Sequence, residues 1–222
     1  MTATVIFDFD GTLALGDGPL HAYAACVAAV AGVPGADEAC AAALARHEAG
    51  EGGFRDGYHA VAQAALDLGV GREALDQGYV RSRALLAGPD APIAPPAGLG
   101  DFLARLAEHA ELVLVTNSPP IRIDEALDVL GAAPHLDRVV CSAGKPDGMP
   151  AIVADALTRG PVLSVGDIYA YDLEPAARLG AATAAVGPAS SAVAHLVTMA
   201  APELPALYGE IEAWAADASS RR

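Results

Sequence analysis

Residues 5–13 read VIFDFDGTL, an apolar run that ends on two aspartates, Asp8 and Asp10, with Gly11 and Thr12 directly behind them. Along a strand, residues two apart share a face, so this spacing predicts that the two carboxylates project together while Phe7 and Phe9 face the other way. Two like charges that close are costly unless a cation lies between them. Taken alone, the pair could equally be a strand end passing into a solvated turn, because Asp and Gly are ordinary turn residues. Three more apolar runs end in polar groups: LVLVTNS delivers Thr116 and Asn117, SAGKPD carries Lys145, and SVGDIYAYD delivers Asp167 and Asp172. Carboxylates, a hydroxyl and one ammonium, with no Cys or His cluster, make an oxygen-rich set that suits Mg²⁺ and leaves room for a phosphate oxygen. A divalent cation and a lysine together would offset the repulsion and attract phosphate. The chemistry this points to is phosphoryl transfer, in which positioning and charge neutralisation supply most of the catalysis.

Lys145 is the single lysine among 13 basic Lys and Arg residues, and Asn117 is the single asparagine. A chain that uses arginine at every other basic position has kept one compact ammonium, which arginine does not replace at a tight site.

The elements that must bring these residues together are legible as short apolar segments. Thr4 to Phe9, Glu111 to Thr116, Arg138 to Ser142, Val162 to Gly166 and Ala182 to Gly187 read as buried strands bounded by Gly, Pro, Asp or Ser. Helical stretches at Gly100 to His109, Ile121 to Leu130, Ala151 to Thr158 and Leu173 to Leu179 fall between the later strands. Steady alternation of strand and helix predicts an α/β fold, a Rossmann-like three-layer core with a parallel sheet. In such a sheet ligands gather beyond the carboxyl ends of the strands, where four of the five predicted strands deliver polar residues. Between the first two strands the pattern changes. Leu20 to Ala31, Ala36 to His47, Tyr58 to Leu68 and Arg72 to Leu86 are helical runs with no convincing strand among them, far longer than an ordinary connection. Residues 16–87 are therefore read as an inserted all-helical subdomain, and 1–15 with 88–222 as the α/β core.

Composition sets limits on partners. The formal net charge of -15 disfavours nucleic acid and anionic membranes. With 53% hydrophobic and 18% charged residues the chain is globular in type. Cys26, Cys40 and Cys141 fit neither a disulfide framework nor a zinc site, and are read as buried, reduced small hydrophobes. No signal peptide is visible, and Ala22 to Val33 is too short to span a bilayer. The expectation is a cytoplasmic protein whose partner is a small phosphorylated metabolite. The final ASSRR is expected to fray.

The ordered set DFDGTL, TNS, GKPD and VGDIYAYD resembles the haloacid dehalogenase-like hydrolase superfamily over nearly the whole chain, with a helical insert similar to the small cap of phosphoglycolate phosphatases and β-phosphoglucomutases. The resemblance implies that Asp8 is the nucleophile that forms an aspartyl phosphate, and that Asp10 is the general acid and then the base. Thr116 and Lys145 would be catalytic, binding the transferring phosphoryl oxygens, with Asn117 beside them. Gly11 and Thr12 would turn the loop and bring backbone amides near the phosphate. Mg²⁺ would be held by Asp8, the Asp10 carbonyl, Asp167 and Asp172, the last orienting Lys145 or the metal shell. The motif departs from the family where Tyr171 stands before Asp172 in place of an Asn. In the insert, His21 of GPLH and Arg55 of EGGFRDG are candidates for substrate contact, against readings as a helix-start histidine and a surface arginine. Arg46, Arg72, Arg81 and Arg83 are read as solvated.

Within the superfamily, haloalkanoate dehalogenases and phosphonate hydrolases lack the second aspartate, so Asp10 favours a phosphate ester. The leading expectation is a Mg²⁺-dependent phosphatase. The alternatives are a phosphomutase of a sugar phosphate and, from another class, a phosphorylatable receiver-like signalling domain, against which the early insertion counts.

Overall fold

A computed structural model describes residues 2–220. In chain order the main elements are β1 (Ala3–Phe7), α1 (Gly18–Ala31), α2 (Ala36–Glu48), α3 (Gly57–Asp67), α4 (Arg72–Arg83), α5 (Leu99–Leu106), β2 (Ala110–Val115), α6 (Ile123–Val129), β3 (Arg138–Val140), α7 (Met149–Leu157), β4 (Val162–Gly166), α8 (Glu174–Ala177), β5 (Ala182–Ala185), α9 (Ser190–Val193), β6 (Met199–Ala200) and α10 (Tyr208–Ser220). They divide into two units. One comprises the residues up to Leu15, Ala94–Pro120 and those from Leu127 onward; the other comprises Gly16–Ile93 with Ile121–Ala126.

The first unit is built on a parallel sheet in the order β3-β2-β1-β4-β5-β6. Every residue of β1 is buried, as an inner strand covered on both faces requires. Its alternation assigns the layers. Ile6 packs with Val113, Met149, Val153 and Ala176, which brings α7 and α8 to one face. Phe7 meets Phe102 of α5 edge-on at 6.3 Å, and Phe102 stacks on Tyr208 of α10 at 3.9 Å. The register pairs Phe7 with Leu114 on one side and Val165 on the other, so β1, β2 and β4 end level with one another. The strand order reverses at β1, between β2 and β4, which is where an open α/β sheet opens a crevice.

Three expectations are corrected here. β1 stops at Phe7, and only the Asp8 amide continues the pairing, donating to the Val165 carbonyl at 2.9 Å. From Phe9 the chain folds into a turn, with Leu13 and Ala14 both donating to the Phe9 carbonyl, so strand alternation does not govern Asp10. The tail through Ser220 is not frayed: it closes α10, with Ala218 buried, because Ile211, Ala215 and Ala218 form an inward stripe at helical spacing. Arg221 and Arg222, the rest of that tail, lie outside the described residues. Of the cysteines, only Cys40 is fully buried; Cys26 and Cys141 are partly exposed, and none of the three forms a disulfide. The sheet also gains a short sixth strand, β6, beside β5.

The second unit holds α1 to α4. Its core is Tyr23, Val27, Cys40, Leu44, Val61, Ala65, Val70 and Leu75. Helices α1 and α4 approach closely because residue 78 is glycine: a Cβ there would lie 2.7 Å from a Val27 methyl. Arg83 is not on a solvated face, as Arg46, Arg72 and Arg81 are; it is 1% exposed. Its Nη1 donates to the Tyr58 hydroxyl at 2.9 Å and its guanidinium lies 5.9 Å from the Tyr79 ring centre, so its charge meets a hydroxyl and an aromatic ring. Among the described residues no helix is long and apolar enough to cross a membrane.

Candidate active site

Asp8, at the carboxyl end of β1, is the focus of the first unit. Its Oδ1 accepts a hydrogen bond from Lys145 Nζ at 2.6 Å, and the same ammonium donates to Asp172 Oδ1 at 2.6 Å. All three side chains are buried. Burial pushes the Asp8 carboxyl up to about 7, because desolvation outweighs the pull of Lys145. Burial alone would lower Lys145, yet the carboxylates of Asp8 and Asp172 hold it above its usual range, so it stays an ammonium. Asp172 is also raised by burial, with Lys145 opposing the shift.

The chain after β4 is shaped to bring Asp172 in. A wide helical turn over Tyr169–Leu173 follows the strand, Ile168 N donates to Asp172 Oδ2 at 3.1 Å, and Ser164 Oγ donates to the Asp172 carbonyl at 2.7 Å. Gly166 leaves the space: a Cβ there would lie 2.4 Å from the Asp172 Cβ. The carboxylate that the sequence left between orienting Lys145 and binding a metal therefore has both oxygens engaged, one by Lys145 and one by a backbone amide.

Asp167, the residue after β4, completes a group with Asp8 and Asp172 whose ligand oxygens lie within 4.8 Å of one another. Burial first, then the charges of Asp8 and Asp172, raise its carboxyl well above the usual range. Its Oδ1 is sealed from solvent and has no hydrogen-bond partner. Gly11 fits against this carboxylate: its φ is +86°, and a Cβ would lie 2.5 Å from Asp167 Oδ2.

The TNS segment behind β2 ties the other parts together. Thr116 Oγ1 accepts from Ser118 N at 3.0 Å, which leaves its own proton available to a ligand. Asn117, itself exposed, uses its side-chain amide on the main chain of Lys145. Its Nδ2 donates to the Lys145 carbonyl at 3.0 Å and its Oδ1 accepts from Lys145 N at 2.6 Å. The lone asparagine thus clamps the main chain of the lone lysine, as a short mimic of strand pairing. Ser118, unassigned in the sequence reading, donates from Oγ to Asp10 Oδ2 at 3.1 Å. The two leading aspartates therefore have different partners: Asp8 takes Lys145, and Asp10 takes Ser118.

The other candidates have partners of their own. The Gly11 amide donates to the Ala14 carbonyl and the Thr12 amide to the Phe9 carbonyl, so both are used inside the loop instead of forming an anion nest. The Thr12 hydroxyl is buried without a partner. His21 and Arg55 belong to the second unit, where His21 Nε2 lies 3.8 Å from Glu48 Oε1 and Arg55 Nε donates to Asp56 Oδ2 at 2.7 Å. Asp56 caps α3, accepting from His59 N at 2.6 Å.

The haloacid dehalogenase-like hydrolase family model matches residues 5–186, from the first strand through the fifth, and takes in the whole constellation. The chain belongs to the haloacid dehalogenase-like hydrolases. Among solved structures, it is similar to the hydrolase YfnB from Bacillus subtilis, which was solved bound to magnesium: 17% identity, 95% of this chain, 98% of that one, TM-score 0.63. It is also similar to a phosphatase from Thermococcus onnurineus (19% identity, 95% and 98% coverage, TM-score 0.59) and to a 2-haloacid dehalogenase from Pseudomonas syringae (21%, 96% and 99%, TM-score 0.59). No curated protein sequence matches the chain. At these identities the likeness establishes the fold, and the choice between ester and halide chemistry rests on this hydrolase's own residues.

The residues that sequence reasoning missed, Ser118 and Ser164, act as tethers. Ser118 left a signal, because it is the third polar residue in a row after β2. Ser164 left only a weak one, a hydroxyl inside an otherwise apolar strand.

Proposed function

We propose that this hydrolase is a Mg²⁺-dependent phosphatase acting on the monoester of a small phosphorylated metabolite. The observation that carries the reading is the separation of the two leading carboxyls: Asp8 is bound to Lys145 and Asp10 to Ser118. One is placed among charges that organise a nucleophile, and the other is left to handle a proton. In the first step an Asp8 oxygen bonds to phosphorus, the bond to the ester oxygen breaks, and Asp10 gives its proton to the departing alkoxide. In the second step water attacks the same phosphorus and passes a proton to Asp10, and the bond from Asp8 breaks to release inorganic phosphate. A halide leaves as a stable anion and needs no proton, so the acid on Asp10 would be idle in a dehalogenase.

A divalent cation fits the residues present. The donors are hard oxygens, the Asp167 Oδ1 is sealed without a partner, and one ammonium stands against three clustered carboxyls. Asp8 and Asp167 would hold Mg²⁺, while Asp172 remains with Lys145; bound there, the ion would neutralise charge on an incoming phosphate. Lys145 and the Thr116 hydroxyl bind the phosphoryl oxygens, and Asn117 keeps the Lys145 main chain in place. The helical unit is assigned as a cap that selects the substrate, with His21 and Arg55 as candidate contacts.

The test is phosphate release from p-nitrophenyl phosphate and a panel of phosphorylated metabolites with and without Mg²⁺, run beside a 2-haloalkanoate and a sugar phosphate. Wild type should release phosphate only with the metal, and Asp8→Asn should lower the rate by ~10³-fold or more. Halide release, isomerisation of the sugar phosphate without free phosphate, or an active Asp8→Asn variant would overturn it.

A further inference from the structure

We propose that the groove between α2 and α3 is the face by which two copies of this chain pair about a two-fold axis, an assignment independent of the reaction catalysed. The groove encloses about 220 Å³. Ala39, Ala42, Ala43 and Ala64 floor it, so a helix laid along that floor meets no side chain longer than a methyl group.

Its two ends carry opposite charges. Arg46, in the last turn of α2, stands beside the loop that joins the two helices, and its guanidinium lies 5.4 Å from the Phe54 ring centre. Gly52 lets that ring fold back on the loop: its φ is +90°, and a Cβ would lie 2.4 Å from a ring carbon. Asp67 closes α3 at the end away from the loop, about 15 Å along the helix from Gly57. Its Oδ1 accepts from Gln63 Nε2 at 2.8 Å. Arg46 and Asp67 are both exposed, and among the described residues no carboxylate pairs with Arg46 and no cation with Asp67.

This pattern commits the groove to a second copy. A two-fold axis through the alanine floor exchanges the two ends, so each Arg46 meets the other copy's Asp67 and both charges gain the partner they lack. With a net charge of -15 two copies repel at a distance, and a face that sets a cation on an anion offsets this locally. The alanines let the helix axes approach to about 8 Å, the near end of the usual range. A standard interface takes ~800 Å² from each copy, more than the groove alone provides. The contact therefore extends over the exposed neighbours on the same face, among them Leu66 at 37% exposure. Such a face supports a reversible dimer with a dissociation constant of ~1–100 μM.

The experiment is sedimentation of the full chain over ~1–300 μM, which brackets that range. Wild type should pass from monomer to dimer. Arg46→Asp and Asp67→Arg each set like charges opposite one another twice per dimer, and each should weaken assembly ~10-fold or more. The double variant carrying both reversals restores opposite charges and should recover wild-type assembly to within ~3-fold. Ala42→Gln, a neutral change at an exposed helix position, should weaken assembly by a similar factor through bulk alone, and it keeps the test decisive if a charge reversal does not fold. A wild type that stays monomeric throughout leaves the groove to a small ligand or a different chain and overturns the assignment. Single reversals and Ala42→Gln that assemble like wild type, or a double variant as weak as the singles, overturn it as well.

Discussion

Replacing Lys145 with methionine keeps much of the side chain's length and removes its charge and its three donors. In the native site that ammonium makes two contacts of 2.6 Å, and the side chains of Lys145, Asp8 and Asp172 are only 4%, 10% and 3% exposed. An exposed ion pair would be worth about 0–1 kcal/mol. Removing one partner of a buried set leaves carboxylates uncompensated and costs about 3–5 kcal/mol. For a chain of this size each kcal/mol shifts the melting temperature by about 2–4 °C, so Lys145→Met should melt about 6–20 °C lower. The measurement is made in EDTA, so that no cation substitutes for the lysine, at about pH 5 and about pH 8. Without Lys145 the carboxyls are harder to ionise, and at lower pH protonation relieves them. The loss should therefore be smaller at about pH 5. A loss below about 1 kcal/mol, or one larger at the lower pH, would refute the account of a buried ammonium holding two carboxylates.

Asn117→Ala should cost about 1–3 kcal/mol in urea unfolding, because it strips both bonds from the Lys145 peptide, and should reduce phosphate release with the Asp8–Lys145 contact loosened. In metal-free protein the pH dependence of stability follows from Asp8, which rises from 3.8 to about 7 on folding. The folded state then binds more protons than the unfolded chain between those values, so the penalty is absent below the lower one and complete above the upper one. Asp167 and Asp172 shift the same way, and the melting temperature in EDTA should fall from about pH 5 to about pH 8. Mg²⁺ at about 100 times its dissociation constant should add about 2.7 kcal/mol near pH 8, and a melting temperature insensitive to both pH and Mg²⁺ would count against the site.

Much of the core was legible in the sequence because its signals are local. Fully buried parallel strands read as short apolar runs, and the turns behind them are marked by Asp, Gly, Asn and Pro. The same locality explains the errors. Alternation carried β1 on to Phe9, but the chain leaves the sheet at Phe7, where the turn closing on the Phe9 carbonyl takes over. Arg83 looked solvated because charge pattern alone does not show that it meets two tyrosines, one on α3 and one on its own helix α4. The stacking of Tyr208 on Phe102 anchors α10 through a contact far apart in sequence, which no window of residues reveals.

By itself the sequence determined the chemical inventory: the paired aspartates, the lone lysine and asparagine, the hydroxyls, and their order behind successive strands. Those are matters of residue type and short-range spacing. Only the tertiary structure decided how the inventory is wired. The lysine joins Asp8 to Asp172, Asn117 grips the lysine's backbone, Ser118 takes Asp10, and Asp167 is left with a sealed, unpartnered oxygen. These pairings link residues as far as 137 positions apart. Their physical cause is the level ending of β1, β2 and β4 at the point where the strand order reverses, and only parallel pairing in the folded sheet brings those ends together.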